Sequence, residues 1–367
     1  MSPRRTRPAQ RGVALITAIV LVAIAAVLAT AIAFSSTMAA RRASTMFGTD
    51  QSLLAAEGAE AMAAYVLKQS LSSSTSGTTA TTGVTGTSGT GSSSGTSAAS
   101  GTSTSSTTGA ATSTTGPTST TGSDALNQPW AQSYGPFELL PGVLLEFAQL
   151  EDEQSKFNLN NLADGGSTDA TSVTEFQQLL TLLGLETKWA PLIADWIDSD
   201  DQPNFPDGAE DSVYLAQSPQ YRTANEPITS ISELLALPGF GRDRYNRLAP
   251  YITALPAGTQ INVCTASGVL LDAISGKTEY STDPQQLLSQ RQNQGCFPTL
   301  SVYQSSMSSQ QQNLAAGRLG QTTSYFRLRT FITIGTARFT LYSLMERDGA
   351  GQIHVVLRSF EIGRAHV

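Results

Sequence analysis

Histidine is almost missing from this chain: His354 and His366 are the two in 367 residues. That leaves little for histidine-based acid–base chemistry or for a zinc centre. Basic residues are outnumbered, with 22 Lys and Arg against 29 Asp and Glu and a net charge of −7. Such a balance disfavours a nucleic-acid partner, because gripping a phosphate backbone rests on clustered positive charge. Cysteine is confined to Cys264 and Cys296. The serine-rich stretches have no histidine partner, and the acidic residues do not supply the two differently tuned carboxylates of a hydrolase. The chain does not read as an enzyme.

Charge is absent altogether from residues 13–34. About 22 helical residues at ~1.5 Å each reach roughly 33 Å, the thickness of a bilayer's hydrocarbon core, so this segment enters a membrane. Arg4, Arg5, Arg7 and Arg11 precede it with no acidic residue among them. The positive-inside bias therefore holds residues 1–12 in the cytoplasm and sends the bulk of a single-pass chain outward. Arg41 and Arg42 weaken that bias without reversing it. Three fates are open to such a segment. Ala31-Ile32-Ala33 could serve a signal peptidase and release a secreted protein, although the apolar core is longer than usual. A plain anchor would leave Gly12 without a purpose. The third fate follows from the short basic leader and the Gly set immediately before the helix, which resemble type IV prepilins. In that class a prepilin peptidase cuts after the Gly, here between Gly12 and Val13, and the helix stays with the mature protein.

Most prepilins carry Glu at the fifth mature position, where it can neutralise the terminal amine of a neighbouring subunit; Thr17 stands there instead. Its absence resembles one type, the K-type minor pseudopilin of type II secretion, and implies a subunit poor at joining beneath another.

Beyond Phe34 the chain stays rich in alanine and free of proline through Gln69. Met46, Leu53, Leu54, Ala61, Tyr65 and Leu67 fall near one face at helical spacing, which predicts one helix of about 55 residues over 13–69, half in lipid and half outside. Residues 70–123 are almost entirely Ser, Thr, Gly and Ala without charge or aromatics. They cannot bury enough apolar area to offset ordering entropy and read as a flexible linker, or alternatively a mucin-like stalk. Order resumes near Asp124. Residues 143–150 read as a strand, and 171–183, 188–197, 231–237, 242–252, 263–273 and 283–292 as helices. Residues 324–335, 336–347 and 352–360 read as three strands. A strand before a helical block and three strands after it suggest one sheet with a helical domain inserted into it.

Asp195, Asp198, Asp200, Asp201, Asp207, Glu210 and Asp211 crowd residues 195–211 with no Lys or Arg between them. So many carboxylates repel one another unless they are solvated or bridged by a hard cation, and Ca²⁺ takes about six to eight oxygens in flexible geometry. An EF-hand is excluded, since Gln202 and Pro203 stand where that loop wants a third ligand and a Gly. A solvated acidic loop and a calcium site both fit.

Asp195-Trp196-Ile197-Asp198-Ser199-Asp200, Gly208-Ala209-Glu210-Asp211-Ser212-Val213-Tyr214 and Pro219-Gln220-Tyr221-Arg222-Thr223-Ala224-Asn225 closely resemble the K-type pseudopilin signature. With Phe157-Asn158-Leu159-Asn160 before them and Ile261-Asn262-Val263 after, the match covers most of residues 142–265. The resemblance implies structural calcium held by this loop, with Asp198, Asp200, Asp201, Glu210, Asp211 and Asn225 as side-chain ligands. It also implies an α+β fold: a long membrane helix and an antiparallel pseudopilin sheet with a large inserted all-α, SAM-like domain. The domains are then a leader over 1–12, a spine helix over 13–69, a linker over 70–123, the first part of the sheet domain over 124–162, the inserted domain over 163–311 and the last strands over 312–361. The implied role is to cap the pseudopilus tip and help start its assembly for export across the outer membrane, anchored in the bacterial inner membrane with the bulk periplasmic. Implied partners are the I-type and J-type minor pseudopilins, the prepilin peptidase, other pseudopilus subunits, and the secretin or secreted cargo.

Leu237-Pro238-Gly239-Phe240-Gly241 between two helices also looks like a helix-hairpin-helix, whose turn amides can meet DNA phosphate. A membrane-tethered DNA receptor is the rival function. The acidic neighbour opposes it, and Arg242, Arg244 and Arg247 alone supply positive charge. Cys264 and Cys296 lie outside the membrane, where an oxidising periplasm would let them pair; as a disulfide they would contribute roughly 3–4 kcal/mol, and free thiols are the alternative. Residues 362–367 match a translated sequencing adapter, so they are expected to be an artefact that leaves the natural C-terminus missing.

Overall fold

No proline interrupts the first helix, α1 (Arg11–Thr75), which runs continuously for 65 residues. The computed structural model describes residues 11–75, 122–164, 166–291, 295–335 and 337–364. Most of the leader, residues 76–121 of the Ser/Thr/Gly stretch and residues 365–367 lie outside them. The first part of α1 carries an 18-residue window of mean hydropathy 2.9, none of it buried.

The second part of α1 packs on a sheet, but not by the face its large residues mark out. Met46, Leu53, Leu54 and Tyr65 are exposed, and of that set only Leu67 is buried. The buried face is Ser52, Ala55, Ala56, Ala59, Glu60, Ala63, Val66, Leu67 and Ser70. Alanines let the helix approach the strands closely, so the sheet supplies the bulk. Leu145, Ile332, Phe339 and Leu341 fill the space against Ala55, Ala56 and Ala59. Trp130, Leu150, Phe326, Leu328 and Met345 do so against Ala63, Val66 and Leu67. Glu60 fastens the two layers: it accepts from Ser343 Oγ at 2.5 Å and from Arg358 Nε and Nη2 at 2.8 and 2.6 Å.

The sheet has six strands, β1 (Ser133–Tyr134), β2 (Phe137–Leu140), β3 (Val143–Asp152), β4 (Tyr325–Ile334), β5 (Ala337–Arg347) and β6 (Ile353–Arg364). Both β1 and β2 pair with β3; β4, β5 and β6 follow in order, every pairing antiparallel. The period of two read in residues 324–335 is the alternation of β4, whose Phe326, Leu328, Thr330 and Ile332 point inward. Residues 362–364, part of the suspected adapter, continue β6 opposite Phe339, Arg338 and Ala337.

Between β3 and β4 the chain builds the helical block: α2 (Ala170–Leu182), α3 (Trp189–Ile197), α4 (Asp211–Tyr214), α5 (Gly241–Leu248), α6 (Gly268–Ser275), α7 (Pro284–Arg291), α8 (Leu300–Gln304) and α9 (Ser309–Leu314). It has its own core, with Phe157 stacked on Phe176 and Trp189 edge-on to Phe240. The helix expected over 263–273 begins only at Gly268, because Ile261–Asn262 pairs in parallel with Leu319–Gly320 and Ser267 caps the helix through Leu270 N. Residues 231–237 form a 3-10 turn (Ile231–Ala236) closed by a capping box of Ser230 and Glu233. Cys264 and Cys296 are joined as a disulfide, with Cα atoms 4.4 Å apart. α1 ends at Thr75, and beyond the Ser/Thr/Gly stretch Asp124 is buried and paired with Arg347 of β5. Helix and sheet are therefore joined by direct packing on either side of it.

Candidate metal site

Trp196, at the end of α3, packs edge-on to Tyr214 and Tyr221. That apolar contact draws the acidic loop into the protein and buries carboxylates that would otherwise be solvated. Asp195 is spent on the loop itself. It accepts from Asn204 N at 3.1 Å, Ala209 N at 2.6 Å and Asn204 Nδ2, closing residues 204–209 around its own oxygens. Gly208 is needed for this closure, since a Cβ there would lie 2.3 Å from both Asn204 N and Asp195 Oδ2.

The loop brings Asp198, Asp200 and Glu210 together, with one carboxylate oxygen from each within 4.8 Å of the others. Asp198 is 1% exposed and Glu210 5%, yet Asp198 Oδ1 and both Glu210 oxygens find no hydrogen-bond partner of normal geometry among the described residues. The other Asp198 oxygen accepts from Thr168 Oγ1 at 2.9 Å. Asn225 adopts a left-handed backbone (φ 46°) and donates from Nδ2 to the Asp200 carbonyl and to Asp201 Oδ1, both at 3.2 Å; its own Oδ1 is a fourth buried oxygen without a partner among the described residues. Asp201 is exposed. Asp211 is turned to Arg222 at 3.0 Å and accepts from Thr223. Thr168 and Asn204, which orient Asp198 and Asp195, carry no signal in the local sequence and are placed only by the fold.

Burial, reinforced by the charges of Asp195 and Asp198, pushes the Glu210 carboxyl up to about 7. Burial likewise raises Asp195 to about 6 and raises Asp198, the latter with help from Asp200. Buried acceptor oxygens in an electronegative pocket fit a hard divalent cation, which would satisfy them and cancel the mutual repulsion that adds to burial in raising these carboxyls.

Two of the three cations of the helix-hairpin-helix reading are engaged in internal contacts, and Arg242 alone remains exposed without one among the described residues. Arg244 makes a two-pronged pair with Glu186, donating from Nε and Nη2 at 2.8 and 2.5 Å, and Arg247 donates to the Leu183 carbonyl at 2.6 Å. The arginines thus hold α5 against the turn that follows α2.

A long apolar N-terminal helix laid along an antiparallel sheet, with a helical block spliced between the sheet's strands, defines a membrane-anchored protein of the pseudopilin class. The family model described as Type II secretion system (T2SS), protein K, matches residues 155–257. The chain is 32% identical over 247 residues to type II secretion system protein K of Pseudomonas aeruginosa, covering 65% of this chain and 72% of that one. It is 34% identical over 238 residues to the Klebsiella pneumoniae protein of the same name, covering 61% and 72%. In fold it is similar to a chain from the crystal structure of the GspK-GspI-GspJ complex of the enterotoxigenic Escherichia coli type 2 secretion system, with a TM-score of 0.62 and 24% identity over 87% of this chain and 99% of that one. The chain belongs to the type II secretion system protein K family.

Proposed function

We propose that this chain is the minor pseudopilin that caps the type II secretion pseudopilus and helps start its assembly, acting by binding and geometry without turnover. The observation that carries the reading is the division of α1. Its alanine stripe is used up by the sheet, while Leu53, Leu54 and Tyr65 remain 41%, 64% and 66% exposed on the flanks. Exposed large apolar side chains along that helix suit neighbouring spine helices. The I-type and J-type minor pseudopilins are the natural neighbours, given that the structural relative is a chain of a GspK-GspI-GspJ complex. On this reading a prepilin peptidase cuts between Gly12 and Val13, and the mature chain crosses the inner membrane once with its bulk in the periplasm. Other pseudopilus subunits lie below it, and the secretin or cargo above.

The same reading makes calcium a structural ion held by Asp198, Asp200 and Glu210, with Asn225 beside them and Asp201 and Asp211 at the rim. The bare oxygens of Asp198, Glu210 and Asn225 support it.

The deciding experiment coexpresses the full chain with its prepilin peptidase and its I-type and J-type partners. The expected result is a mature N-terminus at Val13 by mass spectrometry and a stable ternary complex. An intact Met1, a start near Phe34, or a chain that purifies alone would refute the assignment.

A further inference from the structure

Phe205 is 96% exposed, the most exposed large apolar side chain among the described residues of the head. It is not held on a slack loop. Gly208 N donates to the Asn204 carbonyl at 2.6 Å, and Asn204 N and Ala209 N both donate to the buried Asp195, so the backbone on each side of Phe205 is pinned to α3. Pro203 and Pro206 flank the tip and are exposed with it. A lone exposed apolar residue is ordinary on a protein surface. A rigid, proline-flanked turn that buries a carboxylate in order to close, and then holds a phenyl ring in water, is a preorganised contact whose ordering entropy is already met. Its rim is acidic: Asp201 and Asp207 are exposed on either side, and no Lys or Arg occurs between residues 195 and 211.

We propose that Phe205 is a docking knob for another protein, one that offers an apolar pocket rimmed by lysine or arginine side chains. The ring would provide the buried anchor, and Asp201 and Asp207 would steer and orient the approach. The acidic rim disfavours an anionic lipid surface and a second copy of this loop, both of which it would repel. The inference rests on the turn around Phe205 and does not depend on what α1 packs against.

The test places p-benzoyl-phenylalanine at position 205 of the full chain in cells that assemble the complete secretion machinery, and maps the adduct after irradiation. The expected result is a protein adduct whose crosslinked peptide lies in an apolar pocket flanked by Lys or Arg. Asp207→Lys should cut its yield at least tenfold by reversing the rim charge. Gly208→Ala should do the same by opening the turn while keeping the ring. With the identified partner purified, Phe205→Ala should weaken binding by about tenfold to a hundredfold, the effect of burying one phenyl ring. No adduct, an adduct only to lipid or to a second copy of the chain, or a protein adduct that Asp207→Lys leaves undiminished would overturn the proposal. Because residue 205 is almost wholly solvent-exposed, unchanged thermal stability of the Phe205→Ala chain separates lost docking from lost folding.

Discussion

Glu210 shows how one side chain can report on the ion. Without a cation its carboxyl titrates near 7, against about 4.3 for a solvated glutamate. Between those limits the folded chain binds more protons than the unfolded one, so the cation-free protein loses stability as pH rises through the window. A cation needs the ionised form, so calcium should do the reverse and stabilise more as the proton leaves. The expected outcome is a calcium-induced rise in Tm that is small at pH 5, grows to pH 7 and levels off above it. Melting curves with calcium and with EDTA across that range would show it. Buried Asp152, raised to about 6, and Glu175, raised to about 7, share the falling slope of the cation-free protein but not the calcium response. Glu210→Gln should separate the two effects. It removes a repelling charge, so the cation-free Tm should hold or rise, while the calcium response, about 2.7 kcal/mol at a hundredfold excess over Kd, should largely vanish. An undiminished response in Glu210→Gln would move the ion away from this cluster.

At the scale of elements, α1 carries the most testable packing. Glu60→Ala would leave the Ser343 hydroxyl, 0% exposed, without its acceptor and free Arg358 from the helix. A loss of about 1–3 kcal/mol is expected in denaturant unfolding. A loss near zero would mean that the helix is held by its alanine contacts alone. Much of this element was legible in the residues: the lack of charge and proline over its first half marked a membrane helix, and a single helix was expected as far as residue 69, short of its end at Thr75. Its buried face was not, because a close helix–sheet contact selects Ala55, Ala59 and Ala63 and leaves the larger Leu54 and Tyr65 outside, the reverse of the usual apolar stripe. The long strands β4 and β5 announced themselves by alternation, whereas α4, α8 and α9, of 4 to 6 residues each, are too short for a helical period to show. The acidic loop was visible as a run of carboxylates. Its division of labour, with Asp195 closing the turn and Asp198, Asp200 and Glu210 facing one another, needs the tertiary contact of Trp196 with Tyr214 and Tyr221. The Ser/Thr/Gly stretch gives a further check. Since α1 and Asp124 are fixed to one body, replacing residues 76–121 with a Gly/Ser loop about one-sixth as long should preserve the fold and stabilise it by about 1.5 kcal/mol through reduced closure entropy. A destabilised or aggregated product would assign that stretch a packing role.

The described residues form three apolar clusters, one in the helical block and two between α1 and the sheet, and the joint between the block and the sheet is polar. Asp152, at the end of β3, accepts from Thr323 Oγ1 at 2.6 Å, from Asn262 Nδ2 at 2.9 Å and from Thr265 Oγ1. Asn262 also donates to the Asp124 carbonyl and to Thr323 Oγ1, each at 2.9 Å, and the Asp124 carboxylate is clasped by Arg347. Burial raises Asp152 despite these donors, which marks how dry the joint is. In such a setting each unsatisfied group costs about 1–3 kcal/mol, so the network couples the two units only while it is complete. Calorimetry of the chain should therefore show one cooperative transition in the wild type, raised as a unit by calcium although the candidate site lies in the helical block alone. Asn262→Leu keeps the approximate volume but removes a donor shared by three acceptors. It should split the trace into two transitions, of which calcium raises only the one belonging to the helical block. A single calcium-sensitive transition in Asn262→Leu would show instead that contacts other than this polar joint couple the helical block to the sheet.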